Sequence, residues 1–307
     1  MIASERPYVL DLICEVVNPG RRAGILFLHG FLGDKDEFRH IGQMFERTHT
    51  VAYGDLVCHS VLDTESRAQP CILADTASVD SAERIALPGT VISSRQSSTL
   101  DSVSATSRTH GVTNAFDKPT QWHIIGYSMG GRIALQLACR FPQLVRRLTL
   151  ISASPGLESS HARRARLLAD QGLAQHLLRS TMREFLNHWY RQPIFKEFRA
   201  HPSFLAQYHR RLRQDPVAMA QALEDFSVGA QASLWEHIPN LRMPVELICG
   251  ERDTKFVDIA RRMQALNPQI HLTVVAKAGH VVHWEAPNAV RERISHVEYR
   301  MAPRPEF

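Results

Sequence analysis

Ser128 lies at the centre of Gly126-Tyr127-Ser128-Met129-Gly130, a Gly-x-Ser-x-Gly pattern. Small residues on either side let a tight strand-to-helix turn hold the hydroxyl clear of the backbone. A hydroxyl is a weak base and a weak nucleophile near neutral pH. It needs an imidazole to take its proton and a carboxylate to fix the tautomer of that imidazole. His280, in Ala278-Gly279-His280, and Asp253, in Cys249-Gly250-Glu251-Arg252-Asp253, supply those types. Glu251 is the rival acid, but its place two residues earlier in the same turn favours Asp253. His29-Gly30-Phe31 completes the set, because the Phe31 amide is expected beside that of Met129, two donors aimed at one developing oxyanion. Each motif alone reads equally well as a turn or a helix cap. Four of them in this order make coincidence the weaker account.

These residues need strands to carry them. Short apolar runs of buried-strand length occur at 24–28, 50–56, 122–125, 147–152, 244–249 and 271–276. The stretch 8–17, before the turn signal Asn18-Pro19-Gly20, reads with 24–28 as two strands of one sheet. Helical spacing is found at 36–46, 132–140, 257–266 and 287–299, and the alternation of strand and helix predicts an α/β fold. Residues 160–237 are almost wholly helix-like, rich in Arg and aromatics and broken near Pro193, Pro202 and Pro216, which predicts a helical cap. Residues 60–118 are rich in Ser and Thr with little to bury, which predicts a mostly irregular insertion with 72–87 as its best helix. The expected organisation is a first core part at 1–155 carrying that insertion, a cap at 156–238 and a second core part at 239–307. The order Ser, Asp, His is that of the α/β-hydrolase fold, a mostly parallel central sheet flanked by helices with a helical cap. Asp253 and His280 then fall at the C-terminal ends of strands, where such a sheet builds its site.

Composition sets the outer limits. The 307 residues are 44% hydrophobic and 22% charged, enough for a large core and unlike collagen, coiled coil or a wholly disordered chain. Lys and Arg exceed Asp and Glu by 36 to 31, a net charge of +5 without the concentrated basic tracts of nucleic-acid binders. Small acidic ligands are expected, and no nucleic acid. Cys14, Cys58, Cys71, Cys139 and Cys249 are scattered and odd in number, which argues against a zinc site or a disulfide framework and for a reducing compartment. No run of 18 apolar residues and no secretory pattern at 1–7 is present, so neither a membrane span nor a signal is expected. The expected location is cytoplasmic, or the plastid stroma if a transit segment has been removed.

His161, His176 and His201 read as solvated cap residues, and His283, three positions after His280, as packing beneath the site. Arg163-Arg164-Ala165-Arg166 and Arg210-Arg211-Leu212-Arg213 default to solvated helix faces. They belong, however, to the segment expected to roof the pocket. Inward-facing members, together with Arg132 four residues after Ser128, have the geometry to bind carboxylates in bidentate fashion.

The ordered set Leu28 to Gly33, Gly126 to Leu135, Trp189-Tyr190-Arg191-Gln192-Pro193-Ile194-Phe195, Cys249 to Phe256 and Gly279-His280 resembles the 2-succinyl-6-hydroxy-2,4-cyclohexadiene-1-carboxylate synthases of menaquinone and phylloquinone synthesis. The Arg after Gly130-Gly131, the Trp-Tyr-x-Gln-Pro stretch and Asp253-Thr254-Lys255-Phe256 single out this family among relatives that share the Ser turn and the final His. The resemblance implies a lyase that works without a cofactor on a small polycarboxylate, removing pyruvate by proton abstraction and elimination. It implies Ser128, Asp253 and His280 as the base, the Phe31 and Met129 amides as the oxyanion hole, and Arg132, Arg166 and Arg213 as carboxylate ligands. Tyr127, Trp189 and Lys255 match pocket positions. Two departures stand out. The Gly-His-Gly turn usual after the third strand is replaced by Asp55-Leu56-Val57-Cys58-His59-Ser60, and the helix before the Ser128 strand gives way to the Ser/Thr-rich stretch. The same side chains also suit a hydrolase of ester or carbon–carbon bonds with Ser128 as nucleophile, and the scaffold suits a non-catalytic small-molecule binder.

Overall fold

Ile25 and Phe27 face one side of their strand and Leu26 and Leu28 the other, and all four are buried, as a strand covered on both faces requires. The computed structural model describes residues 12–21, 23–56 and 121–300. The insertion expected at 60–118, its helix at 72–87, and most of the altered turn at 55–60 lie outside the described residues. Seven strands form one sheet: β1 (Leu12–Val17), β2 (Gly24–Leu28), β3 (Thr50–Leu56), β4 (Trp122–Tyr127), β5 (Val145–Ile151), β6 (Val245–Gly250) and β7 (His271–Val275). Their order is β1-β3-β2-β4-β5-β6-β7, with β1 antiparallel to β3 and every other pair parallel. β1 and β2 share the sheet but are not neighbours, because β3 lies between them. The fully buried β2 belongs inside, whereas β1, with Glu15, Val16 and Val17 only partly covered, fits an edge.

One face of the sheet is covered by α2 (Met129–Arg140) and α8 (Thr254–Leu266), through Ile133, Ala134 and Leu137 and through Val257, Ala260 and Met263. The other carries α1 (Arg39–Gly42) and α10 (Pro287–Arg300), through Ile41, Val290 and Ile294. The helix expected at 36–46 is instead a 3-10 turn at Lys35–Phe38 followed by the single turn of α1. Gly42 ends that turn where the Tyr53 ring leaves no room for a Cβ.

Between β5 and β6 the chain runs through α3 (Ser160–Arg179), α4 (Met182–Trp189), α5 (Lys196–Ala200), α6 (Phe204–Arg211) and α7 (Pro216–Asp225). The prolines punctuate this stretch as expected. Pro193 opens a 3-10 turn, Pro202 separates α5 from α6, and Pro216 is the first residue of α7, where its missing N–H costs nothing. Phe185, Leu186, Phe198 and Tyr208 of these helices join the same apolar cluster as Ile25, Phe27 and Tyr127. The cap is therefore packed onto the sheet rather than tethered beside it. No helix among the described residues is long and apolar enough to cross a membrane.

Candidate active site

Ser128 sits between β4 and α2 with φ +50° and ψ −107°, a conformation that costs a residue with a side chain about 1–3 kcal/mol. The turn is held by its surroundings. The Ser128 amide donates to the Ile151 carbonyl of β5 at 2.9 Å, and a Cβ on Gly126 would overlap the Gly130 carbonyl. A Cβ on Gly130 would overlap the Leu28 and His29 carbonyls of the neighbouring strand end. These contacts explain why the pattern needs glycine on both sides.

His280 Nε2 lies 3.2 Å from Ser128 Oγ, and His280 Nδ1 lies 2.6 Å from Asp253 Oδ2. With Nδ1–H donating to the carboxylate, Nε2 is left as an acceptor for the serine hydroxyl. His280 and Asp253 are both buried. Glu251, the rival acid, turns away and accepts the Lys277 amide at 2.9 Å. The loop that presents His280 is gripped from below by Glu285, in the short helix α9 (Val282–Glu285). Its carboxylate accepts the amides of Gly279 and Val281 on either side of the histidine. Burial pushes the Glu285 carboxyl up in spite of those two amides.

Phe31 is the second residue of a turn closed by Gly33 N–H donating to the Gly30 carbonyl at 3.0 Å. The His29 ring fixes that turn. Its Nδ1–H donates to the Gly30 carbonyl at 2.7 Å, while Nε2 lies 3.0 Å from the Leu56 amide and 3.1 Å from Asp55 Oδ1. Met129 is the first residue of α2, and its amide is among the N–H groups that a helix N-terminus leaves without an intrahelical partner.

A cavity of about 30 Å³ opens at Ser128, walled by Phe31, Tyr127 and His280 from the core and by Trp189, Tyr190, Phe195 and Arg211 from the cap. That volume is about the share of one water in the liquid, so a ring-sized ligand enters only when cap side chains move. A larger cavity of about 230 Å³ lies at the opposite ends of β6 and β7, beside Glu246 and His271, and contains none of the candidate residues. The smaller cavity is at the C-terminal strand ends, where α/β sheets bind ligands.

Residues 115–287 match the family described as alpha/beta hydrolase fold. A solved structure of MenH from S. aureus superposes with a TM-score of 0.71 at 24% identity, covering 94% of this chain and 98% of that one, which shows the fold. A relative from Bacillus subtilis (strain 168) is 36% identical over 174 residues, 56% of this chain and 64% of its own length. The 2-succinyl-6-hydroxy-2,4-cyclohexadiene-1-carboxylate synthase of Klebsiella pneumoniae (strain 342) is 30% identical over 268 residues, 87% of this chain and 90% of its own. The chain belongs to this synthase family.

Against the expectations for the family, the structure divides the candidate residues. Tyr127 and Trp189 stand in the cavity wall with Ser128 and Phe31. Arg132, Arg166, Arg213 and Lys255 do not. Arg132 is turned to the segment after α7, donating to Gln231 Oε1 at 2.8 Å and to the Phe226 carbonyl at 2.6 Å. Burial brings its pKa down to about 10. Arg166 is exposed on α3 and spends its Nε on Asp170 at 2.8 Å, one helical turn along. Lys255 is exposed in the first turn of α8. Arg213 lies past the end of α6 and is exposed, so the guanidinium that reaches the cavity is that of Arg211, on the helix itself.

Sequence reasoning missed Arg211, Tyr190, Phe195, Glu37 and Glu285. The Arg210–Arg213 cluster was visible, but which member points inward depends on where α6 ends. His283 is buried as expected, with its Nε2 2.9 Å from Glu37 Oε1, and burial lowers its pKa to about 4 against the opposing pull of that carboxylate.

Proposed function

We propose that the chain is a carbon–oxygen lyase that eliminates pyruvate from 2-succinyl-5-enolpyruvyl-6-hydroxy-3-cyclohexene-1-carboxylate, giving 2-succinyl-6-hydroxy-2,4-cyclohexadiene-1-carboxylate for menaquinone or phylloquinone synthesis. The observation that carries this reading, in a member of the synthase family, is the hydrogen-bonded chain Ser128–His280–Asp253 at 3.2 and 2.6 Å, facing a small cavity. Asp253 holds the His280 tautomer, His280 takes the hydroxyl proton, and the Ser128 oxygen removes a proton from the substrate ring. The electron pair of that C–H bond, at the ring carbon bearing the succinyl ketone, forms the C2–C3 double bond, the C3–C4 double bond shifts to C4–C5, and the C5–O bond to the enolpyruvyl group breaks. The leaving group departs as the enolate of pyruvate and is protonated on carbon. The amides of Phe31 and Met129 stabilise charge that develops on the conjugated carbonyl oxygen.

The aromatic wall from Phe31, Tyr127, Trp189 and Phe195 excludes water, and Arg211 offers the cation that a polycarboxylate needs. Arg132 and Arg166 are assigned the remaining carboxylates, which they reach when substrate displaces Gln231 and Asp170 from them.

The same three side chains serve a hydrolase, so the test separates base from nucleophile. Purified chain is mixed with the enolpyruvyl substrate, or with an aryl ester, quenched within one turnover and weighed intact. The lyase reading expects pyruvate without any mass added to Ser128, and no pyruvate from Ser128→Ala. An acyl adduct with ester turnover and no elimination makes the chain a hydrolase.

A further inference from the structure

Glu37 is a fully buried carboxylate that no motif marks and that does not line the cavity. It lies on the core side, in the 3-10 turn after β2. One of its oxygens, Oε1, accepts three donors: Arg211 Nη2 at 3.1 Å, His283 Nε2 at 2.9 Å and Trp284 Nε1 at 2.9 Å. The first comes from the cap, the other two from the segment that follows His280.

Each arm leads to the candidate site. Arg211 also donates to the Tyr190 hydroxyl, while its buried Nε has no hydrogen-bond partner among the described residues although the residue lines the cavity at Ser128. The His283 ring packs 4.3 Å from the Tyr127 ring, which lies 5.4 Å from the ring of His280. Burial alone would push the Glu37 carboxyl up, but the Arg211 charge and the bonds from His283 and Trp284 outweigh it and hold it below the usual carboxylate range. Glu37 is therefore an anion at neutral pH. A buried ion pair of this kind is weak as a source of stability, since apolar residues of similar volume often serve as well. What it does supply is direction. An arginine side chain free to rotate must be ordered by each incoming ligand, whereas one tied through Nη1 and Nη2 keeps its Nε–H in one place.

We propose that Glu37 is a positioning residue for the elimination: it ties the Arg211 guanidinium at the cavity wall and leaves the unpartnered Nε to receive a carboxylate of the substrate, which Glu37 itself never touches. This rests on the lyase reading for the reaction it serves. The carboxylate bond is made in ground and transition states alike, so its loss raises KM and leaves kcat nearly unchanged.

The experiment is a double-mutant cycle on pyruvate release, with kcat, KM and Tm measured for the wild type, Glu37→Gln, Arg211→Met and the double variant. The expected result is a rise in KM of about tenfold for Glu37→Gln with kcat within about threefold, and a double variant no worse than Arg211→Met alone. Glu37→Asp, which keeps the charge but retracts it, recovers part of the KM. If Glu37→Gln lowers kcat/KM by the same factor with or without Arg211, it acts through the fold alone and the proposal is overturned. Should Glu37→Gln fail to fold, Glu37→Asp completes the same cycle. A wild-type chain that releases no pyruvate sinks the lyase reading instead. The same variants titrated calorimetrically with succinate then decide the positioning role: coupling between the two sites in affinity upholds it, additivity overturns it.

Discussion

Asp253→Asn is the substitution whose effect follows most directly from the geometry. Asp253 Oδ2 accepts from His280 Nδ1 at 2.6 Å, both residues are buried, and no other acceptor among the described residues bonds that nitrogen. An asparagine amide fits the same space but donates to Nδ1, which moves the imidazole proton to Nε2 and points it at Ser128 Oγ. The base is then lost while the cavity wall is unchanged, because Asp253 takes no part in that wall. General-base catalysis contributes roughly 10²- to 10⁴-fold, equivalent to about 2.7–5.4 kcal/mol at 1.36 kcal/mol per tenfold. The assay is steady-state pyruvate release across a substrate series, with Tm as a control for folding. The expected result is a kcat lowered by that factor with KM within about threefold. An Asp253→Asn enzyme that folds and keeps kcat within threefold of wild type would refute the assignment of His280 as a base held by Asp253.

Arg211→Ala removes the guanidinium of the cavity wall, and a charge-assisted hydrogen bond of about 1.5–3 kcal/mol corresponds to a loss of roughly 10- to 150-fold in kcat/KM. Arg213→Ala, exposed beyond the end of α6, is expected to change the same quantity by less than about threefold, and the opposite ranking would move the carboxylate site. Gly130→Ala drives a Cβ into the Leu28 and His29 carbonyls, so the soluble yield and Tm should fall together with activity; a fully active variant would mean the turn is not so confined. His283 and His123 are fully buried and have pKa values lowered by that burial, which outweighs the bonds to Glu37 and Glu298. Each therefore binds fewer protons folded than unfolded once the pH drops below about 6.5, the unperturbed value. Stability should fall on acidification below 6.5, for His283 down to about 4, with a limiting slope of about 1.4 kcal/mol per pH unit for each group. A denaturant titration series shows it, and His283→Gln should flatten the slope.

The strands that carry the site were legible because parallel strands buried on both faces read as unbroken apolar runs, and β3 occupies the residues the pattern indicated. Ser128, Asp253 and His280 were legible for a related reason: each follows a strand at a turn marked by glycine, where side-chain types and chain order constrain one another. Pairing was not. Nothing local to 8–17 and 24–28 says that β3 will come between them, since that depends on which strand the rest of the fold buries. The cap side of the cavity was the least legible part. Arg210, Arg211 and Arg213 differ in direction by the phase and length of one short helix, and Arg210 in fact pairs with Asp34 of the core. Glu37 offered no signal, because a charged residue in a turn reads as solvated until the cap that covers it is in place.

Elimination shows itself in a single progress curve of the wild-type chain with freshly generated enolpyruvyl substrate, following pyruvate and the new diene absorbance together. The two products are expected to rise in a one-to-one ratio from the first turnover. Diene and pyruvate that fail to exceed the spontaneous rate, in a chain that is folded, would contradict that expectation.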